Sequence, residues 1–459
     1  MSMSDTEISK SCIDFAYNFK LEEAPADTRD HMKKCLLDWL GCAIRGSVMP
    51  QADCIKKYIK AMGGNPHASI IGDPTPNSVF NSALSNGYYG HILEMDDVDK
   101  ESITHPGTVV IPAALSIGEW SRLSGADFLA AMIAGYEVML RVGAAVTPAH
   151  YQIWHTTATS GVFGSVVAAG RMLKLTKEEM TWAFGNAGTL SAGLWEFLQD
   201  GAMSKYLHAG KASATGVMTA YLASTGFTGA SRILEGKQGF FAGYARQEVN
   251  PDIFADFGSR YRAGTVSFKP YPCCRHTHST IDCARALHGQ LTKPLEVVKS
   301  IRIATYKAAV LIAGTENPQD SRQAQFSLKY VVSRALKIGN IGLSDFDDSV
   351  LFDPEVRKLM EKVTVAVDPK IDSLTPAAWP SRVTVELSDG RTITEYVQYP
   401  KGDPENPLDW AEVKGKFTLL VDGILNQQGI TEVISLCENI EAVKDCGQLL
   451  KTVNKYGVF

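Results

Sequence analysis

Residues 382–397 read Arg-Val-Thr-Val-Glu-Leu-Ser-Asp-Gly-Arg-Thr-Ile-Thr-Glu-Tyr-Val, and this stretch decides the fold class of the second half of the chain. Two alternating runs, 382–387 and 392–397, flank Asp389-Gly390. Asp-Gly between such runs is a strong hairpin signal. Two further strand-like runs are 300–306 and 362–367. The four runs predict a small α+β domain with a sheet.

The sequence on either side of this region is predicted to be helical. Up to about residue 264 it is rich in Ala, Gly, Leu and Met, and alternating runs are scarce. Asp27 is a candidate cap for a helix that begins near Arg29 and runs to Gly41. Small residues in 81–90 predict close helix–helix contact, and Gly201 indicates a break between helices. The Pro-rich stretch 399–407 is predicted as a linker before a helical tail.

The composition excludes several classes of protein. The 459 residues carry a net charge of −5, which argues against a general nucleic-acid binder. Nine scattered cysteines, four of them in apolar surroundings at Cys12, Cys35, Cys42 and Cys54, favour buried thiols in a reducing compartment. The first 20 residues lack the apolar core of a leader. The apolar stretch 128–146 contains Glu137 and Arg141, which a membrane span tolerates poorly. A cytosolic protein is expected, with an organelle matrix as the alternative.

The first candidate functional segment is an acidic run that ends in Thr-His-Pro-Gly. Glu94 and Asp97 are three residues apart and share a face if the preceding helix extends that far. His105 follows the run and is a candidate proton-transfer residue. A calcium loop is excluded because Ser102 and Thr108 replace its required Gly and Glu. A solvated acidic loop is the alternative for the acids.

Two further segments place basic side chains in apolar, helix-like surroundings. His155 precedes Thr156 and Thr157, so it could bind a carboxylate at a helix start, with a core histidine as the alternative. Lys205 and His208 lie between Ala- and Gly-rich stretches in which the pattern demands no charge. An exposed lysine is the alternative for Lys205.

The densest segment, Phe268-Lys-Pro-Tyr-Pro-Cys-Cys-Arg-His-Thr-His278, sets basic residues beside two thiols. A structural zinc site normally takes two ligand pairs at short spacing. Here all the candidate ligands are crowded within Cys273–His278, with no partner pair elsewhere. We therefore predict no metal. The chain also shows no phosphate-loop or dinucleotide fingerprint.

Together these segments resemble the MmgE/PrpD family over nearly the full length of the chain. The resemblance rests on the order of Glu94-Met-Asp-Asp97, His105-Pro106, Trp154-His-Thr-Thr157, Ser204-Lys-Tyr-Leu-His208, Lys269-Pro-Tyr-Pro272 and Phe326-Ser-Leu-Lys-Tyr330. It implies a mainly α fold, with a large all-helical domain (1–264 and 408–459) and a smaller α+β lid domain (265–407). It also implies a homodimer with a cleft between the domains and no metal or organic cofactor.

The resemblance also implies which residues form the site. The positions similar to catalytic ones are His105, His155, Lys205, Lys269 and Tyr330. The positions predicted to bind or orient substrate are Glu94, Asp97, Cys274, His208, Arg275 and His278. Val98 and Cys274 depart from the pattern, which has threonine and histidine there.

The expected substrate is a small polycarboxylate, with no nucleic-acid or membrane partner. Family reactions dehydrate 2-methylcitrate, decarboxylate cis-aconitate or epimerise iminodisuccinate, and each handles a carbanion next to a carboxylate. Histidines can move the proton and lysines can hold carboxylates. A lyase is therefore predicted, with a cofactor-independent epimerase as the alternative and a non-enzymatic carboxylate binder as the third hypothesis.

Overall fold

A computed structural model describes residues 7–291 and 295–459, and these residues form two compact units. The helical unit comprises residues 7–92, Asp96–Val266 and Asp409–Phe459. The α+β unit comprises Leu93–Met95 and Ser267–Leu408. The first six residues of the stretch in which no leader was predicted lie outside the described residues.

The helical unit is built from long apolar helices and short connecting helices. Its helices are α1 (Ile8–Asn18), α2 (Ala26–Ser47), α3 (Ala52–Met62), α4 (Val79–Gly90), α5 (Gly107–Ser121), α6 (Gly125–Val146), α7 (Thr156–Met172), α8 (Lys177–Thr189), α9 (Phe197–Asp200), α10 (Ser204–Ser224) and α11 (Phe240–Tyr244). After the α+β unit the chain adds α19 (Trp410–Val421), α20 (Gln427–Glu438) and α21 (Gln448–Tyr456). Helices α5, α6 and α7 are buried over most of their length and form the core.

Helices α4 and α10 approach closely because each carries a glycine at their contact. A Cβ built on Gly87 would lie 3.1 Å from the Cα of Gly210. A Cβ on Gly210 would lie 2.3 Å from the backbone oxygen of Leu84, closer than real Cβ atoms come. The small residues of α4 therefore serve close helix packing, which confirms the sequence prediction.

We expect Gly210→Ala to lower the free energy of unfolding by about 1–3 kcal/mol, because the new methyl group would collide with backbone atoms and not with a movable side chain. Gly415→Ala in α19 is the matched control, since a Cβ there meets nothing within 4 Å. Removing that glycine should raise stability by about 0.4–1 kcal/mol. Urea unfolding of both variants measures the difference, and equal effects at the two sites would contradict the packing argument.

Helix α6 is long and apolar enough to cross a membrane, but 94% of its most apolar window is buried inside the protein. Two of its charged residues, Glu137 and Arg141, form a buried ion pair. Arg141 also pairs with Asp256, N to O 2.7 Å. The burial and the internal pairing identify α6 as a core helix of the helical unit.

The α+β unit contains a four-stranded sheet in the order β2-β1-β3-β4. The strands are β1 (Val298–Thr305), β2 (Val363–Val367), β3 (Ser381–Leu387) and β4 (Thr392–Val397). Strand β1 is parallel to β2 and antiparallel to β3, which pairs with β4 as a hairpin. Gly390 in the hairpin turn has φ +87°, a conformation that favours glycine. All four predicted strands are confirmed.

Helices surround the sheet and share its apolar core. They are α12 (His278–Gln290), α13 (Lys307–Ile312), α14 (Ser321–Gln325), α15 (Leu328–Ile338), α16 (Asp348–Leu351), α17 (Pro354–Glu361) and α18 (Pro369–Asp372). Residues of α12, α15 and α17 bury apolar side chains in one cluster with the inward face of β1 and β3. The α+β unit therefore has a core of its own.

Several local predictions were wrong. Asp27 does not cap a helix: α2 begins at Ala26, and Asp27 accepts a hydrogen bond from the amide of Thr28 inside the first turn. Helix α2 also continues past Gly41, whose missing side chain admits Leu420 of α19. The low helix propensity of glycine predicts that the helix ends at Gly41, but packing against a second helix outweighs that propensity.

The predicted linker is a folded part of the α+β unit. Within it Gly402 donates to the backbone oxygen of Asn406 at 2.8 Å, and Asp403 is buried in an ion pair with Arg275. The prediction took its prolines as the sign of a linker, whereas they lie in a packed turn. All nine cysteines are free thiols, and Cys54 is exposed, contrary to the prediction that it is buried.

Candidate active site

The connection from α4 to α5 is a buried loop. Helix α4 ends at Gly90, and Glu94 then takes the left-handed backbone conformation, with φ 56°. The helix therefore does not extend far enough for Glu94 and Asp97 to share one of its faces. Asp97 accepts hydrogen bonds from the amide of Gly107 at 2.9 Å and from the hydroxyl of Tyr136 at 2.8 Å. Burial raises the pKa of Asp97 to about 8.

His105 and His91 meet at Asp96 in this loop. His91 Nδ1 donates to Asp96 Oδ2 across 2.7 Å, and His105 Nδ1 lies 3.3 Å from the same oxygen. The two rings are 4.8 Å apart. Burial alone would raise the pKa of Asp96, but electrostatic attraction to His91 and His105 and hydrogen bonds from their rings outweigh it and hold that pKa well below its ordinary range.

His155 lies beside this group because the start of α7 contacts the start of α5. The amide of His105 donates to Thr157 Oγ1 at 3.1 Å. The His155 ring stacks nearly parallel to the His91 ring at 5.6 Å. Burial, with the positive charges of His91 and Lys205, holds the pKa of His155 well below its ordinary value. His155 is therefore neutral near pH 7.

Lys205 and His208 reach the group from the first turns of α10. Lys205 is buried, with 4% of its surface exposed, so the alternative of an exposed lysine does not hold. His208 Nδ1 lies 3.3 Å from His155 Nδ1. Burial, with the charges of His91 and Lys205, lowers the pKa of His208 to about 4. The N-termini of α5, α7 and α10 thus gather basic side chains in one place.

The α+β unit carries a second group around Lys269. Lys269 is buried and its Nζ lies 3.3 Å from Glu94 Oε2, so Glu94 serves as its counter-ion. Cys273 contacts Thr277 Oγ1 at 3.1 Å, and burial raises the thiol's pKa to about 12. The thiol is therefore protonated near pH 7 and is not a nucleophile there.

The predicted site residues that follow Cys273 make hydrogen bonds within the α+β unit. Arg275 pairs with Asp403 at 2.5 Å and donates to His278 Nδ1 at 2.8 Å. His278 Nε2 then donates to the carbonyl oxygen of Cys273 at 3.3 Å. Cys274 is buried and donates its amide to the backbone oxygen of Gln325. These contacts fix the turn that carries Lys269 into α12.

Tyr330 lies in the apolar core of the α+β unit, on α15. Its hydroxyl donates to the backbone oxygen of Asp345. Burial raises the pKa of Tyr330 to about 12, so the phenol stays protonated near pH 7. A catalytic role for Tyr330 stays a prediction, and its observed hydrogen bond is structural.

His91 and Asp96 were not predicted as site residues from the sequence. Asp96 stands between two acids that were considered, and His91 follows the glycine-rich α4. The spacing permits this contact, since a histidine five residues before an acid at a helix end can meet it across a turn. Nothing in the periodicity distinguishes this contact from a solvated loop.

His91, Asp96 and His105 are also the described residues that come nearest to a metal-binding group, with candidate ligand atoms within 4.8 Å of one another. Ligands about 2.1 Å from a tetrahedral metal lie roughly 3.4 Å apart. The 2.7 Å from His91 Nδ1 to Asp96 Oδ2 is a hydrogen-bond distance instead. The His105 Nδ1 atom faces the Asp97 carbonyl oxygen at 2.8 Å and so carries a proton. The group therefore fits a hydrogen-bonded network better than a metal centre.

The fold and the buried histidine–lysine group define a mainly helical protein with a small α+β unit and a site suited to anionic ligands. The chain belongs to the MmgE/PrpD family. The N-terminal domain of that family matches residues 11–251, and its C-terminal domain matches residues 271–440. The resemblance seen in the motifs is confirmed.

Relatives span nearly the whole chain. A cis-aconitate decarboxylase of Aspergillus terreus is 26% identical, over 99% of this chain and 97% of its own length. A cis-aconitate decarboxylase of Homo sapiens is 27% identical, over 91% of this chain and 88% of its own. A 2-methylcitrate dehydratase of Cupriavidus necator is 24% identical, over 85% and 84%.

Proposed function

We propose that the protein is a lyase that acts on a small di- or tricarboxylate of the citrate or aconitate type. The observation that carries the proposal is the buried group of His105, His155 and Lys205 at the starts of three helices. Helix N-termini and a lysine favour bound carboxylates, and neutral imidazoles accept protons. The names of the relatives support this substrate class.

The chemistry requires a proton to move at a carbon next to a carboxylate. In a dehydration the C–H electron pair becomes the new C=C bond while hydroxide leaves and takes up a proton as water. In a decarboxylation the C–C pair stays on the substrate when carbon dioxide leaves, and that carbon takes up a proton. His105 or His155 would carry the proton, and Lys205 would stabilise the developing charge.

Lys269 is proposed as a second carboxylate ligand and Glu94 as the residue that orients it. The ion pair within the α+β unit supports the second role. Tyr330, Arg275, His278 and Cys274 remain predicted contributors. A homodimer and a cytosolic location likewise stay predictions.

The function is tested by incubating the purified protein with citrate, 2-methylcitrate and cis-aconitate in deuterated water. Proton NMR should show loss of water or carbon dioxide from one acid, and decarboxylation should leave deuterium at one product carbon. The control is the His105→Gln protein under the same conditions. Deuterium exchange or inversion without loss of either group would identify an epimerase, and no change in any acid would favour a binding protein.

We expect activity to survive exhaustive chelation, because the histidine and carboxylate atoms nearest to a metal arrangement are hydrogen-bonded to one another. The measurement is turnover after dialysis against a chelator, with elemental analysis of the same sample. Loss of turnover that added zinc restores would contradict the prediction.

A further inference from the structure

One carboxylate faces two histidines in the loop before α5. Asp96 Oδ2 lies 2.7 Å from His91 Nδ1 and 3.3 Å from His105 Nδ1. All three side chains are buried, and Asp96 and His91 are inaccessible to solvent. A buried carboxylate that receives two N–H groups is a strong acceptor and a local negative charge.

The backbone fixes the tautomer of His105. Its Nδ1 lies 2.8 Å from the carbonyl oxygen of Asp97, which can only accept a hydrogen bond. Nδ1 therefore carries a proton, and in the neutral ring Nε2 holds the lone pair. A proton taken from a substrate carbon would go to Nε2, and a proton given to one would leave from Nε2.

His91 competes with His105 for the same oxygen. Its Nδ1 contact with Asp96 is the shorter of the two, and its Nε2 is buried without a hydrogen-bond partner among the described residues. One carboxylate cannot balance two imidazolium rings 4.8 Å apart. A proton on one ring therefore disfavours a proton on the other.

We propose, building on the proposed function, that Asp96 and His91 are positioning residues that set the basicity of His105. The Asp97 carbonyl fixes the tautomer of His105, and Asp96, 3.3 Å from the same Nδ1, balances the positive charge of the ring once a proton arrives. His91 lowers the proton affinity of His105, because it donates a hydrogen bond to the same carboxylate oxygen. The two residues thus push the proton affinity of His105 in opposite directions.

Other charged and titratable groups surround this network, among them Asp38 of α2, which pairs with Lys416, and Tyr136 of α6, which donates to Asp97. From α7 and α10 these are His155, Lys205 and His208, and from α19 the charge of Lys416 interacts with Asp96. Asp97 adjoins it in the loop. All of them are unchanged in the variants below, so differences between variants report on Asp96 and His91.

The test is an NMR titration of the substrate-free protein labelled with ¹⁵N-histidine, with the His105 signal assigned from its loss in His105→Gln. Asp96→Asn should lower the pKa of His105 by about one unit or more, because the counter-charge is lost. His91→Phe should raise it, because Asp96 then faces His105 alone. Asp99→Asn, a buried acid of the same loop bonded to Ser102, should leave it unchanged.

Shifts of His105 in the same direction in Asp96→Asn and His91→Phe, or no shift in either, would overturn the proposal. If Asp96→Asn does not fold, an absent upward shift in His91→Phe overturns it alone. Because the titration contains no substrate, its failure can be told apart from a failure of the proposed function, which the substrate incubation tests. With an identified substrate, kcat of Asp96→Asn should fall about 10- to 100-fold with little change in KM.

Discussion

Replacing His105 with alanine is expected to lower turnover by about 10²–10⁴-fold in a protein that stays folded. The reason is that His105 offers a basic Nε2 atom while its Nδ1 is held by the Asp97 carbonyl and by Asp96. Substrate binding should suffer less, because Lys205, the proposed carboxylate ligand, is unchanged. The measurements are kcat, KM and the melting temperature of His105→Ala and of His105→Gln.

The matched control is His150→Ala, also in the helical unit. His150 is buried, and its Nδ1 lies 3.0 Å from the carbonyl oxygen of Tyr244, so it makes the same kind of backbone contact. That variant should lose stability and keep its turnover. A folded His105→Gln protein with nearly normal turnover would show that another residue transfers the proton.

Replacing Lys269 with methionine is expected to lower the free energy of unfolding by about 3–5 kcal/mol. This is the typical cost of leaving one charge of a buried ion pair without its partner. Glu94 stays buried and loses this cation. Glu94→Gln should act in the same direction. The double variant should recover most of the loss, and urea unfolding of the four proteins measures the coupling.

The same four proteins separate structure from function. If Lys269 binds substrate, the stable double variant still has a greatly raised KM. The control is the buried pair of Arg141 and Glu137 on α6, where a double Arg141→Met and Glu137→Gln variant should keep its KM. Normal KM in the Lys269 double variant would remove Lys269 from the proposed site.

Local sequence rules predicted the α+β unit well because its signals are short in range. A strand's two-residue alternation and an Asp-Gly turn express the geometry of adjacent residues, so β3 and β4 were predicted to within one residue. Helix ends were predicted less well. Gly41 lies inside α2 because its neighbour is α19, more than 370 residues away in the chain.

The sequence by itself determined which residue types are available for chemistry and the family to which the chain belongs. His155 and Lys205 stand in apolar, helix-like surroundings, and His105 follows an acidic run, so all three are visible in the sequence as candidates. Their burial confirms that they are not surface residues.

Tertiary structure alone decided which of these residues meet. His91 and Asp96 form a pair because α4 stops at Gly90 and the chain then turns through the left-handed Glu94. His155 joins them because the starts of α5 and α7 are in contact. Such contacts depend on the path of a loop and on helix packing, and neither has a periodic signature in sequence. The proposed proton-transfer network is therefore a product of the fold.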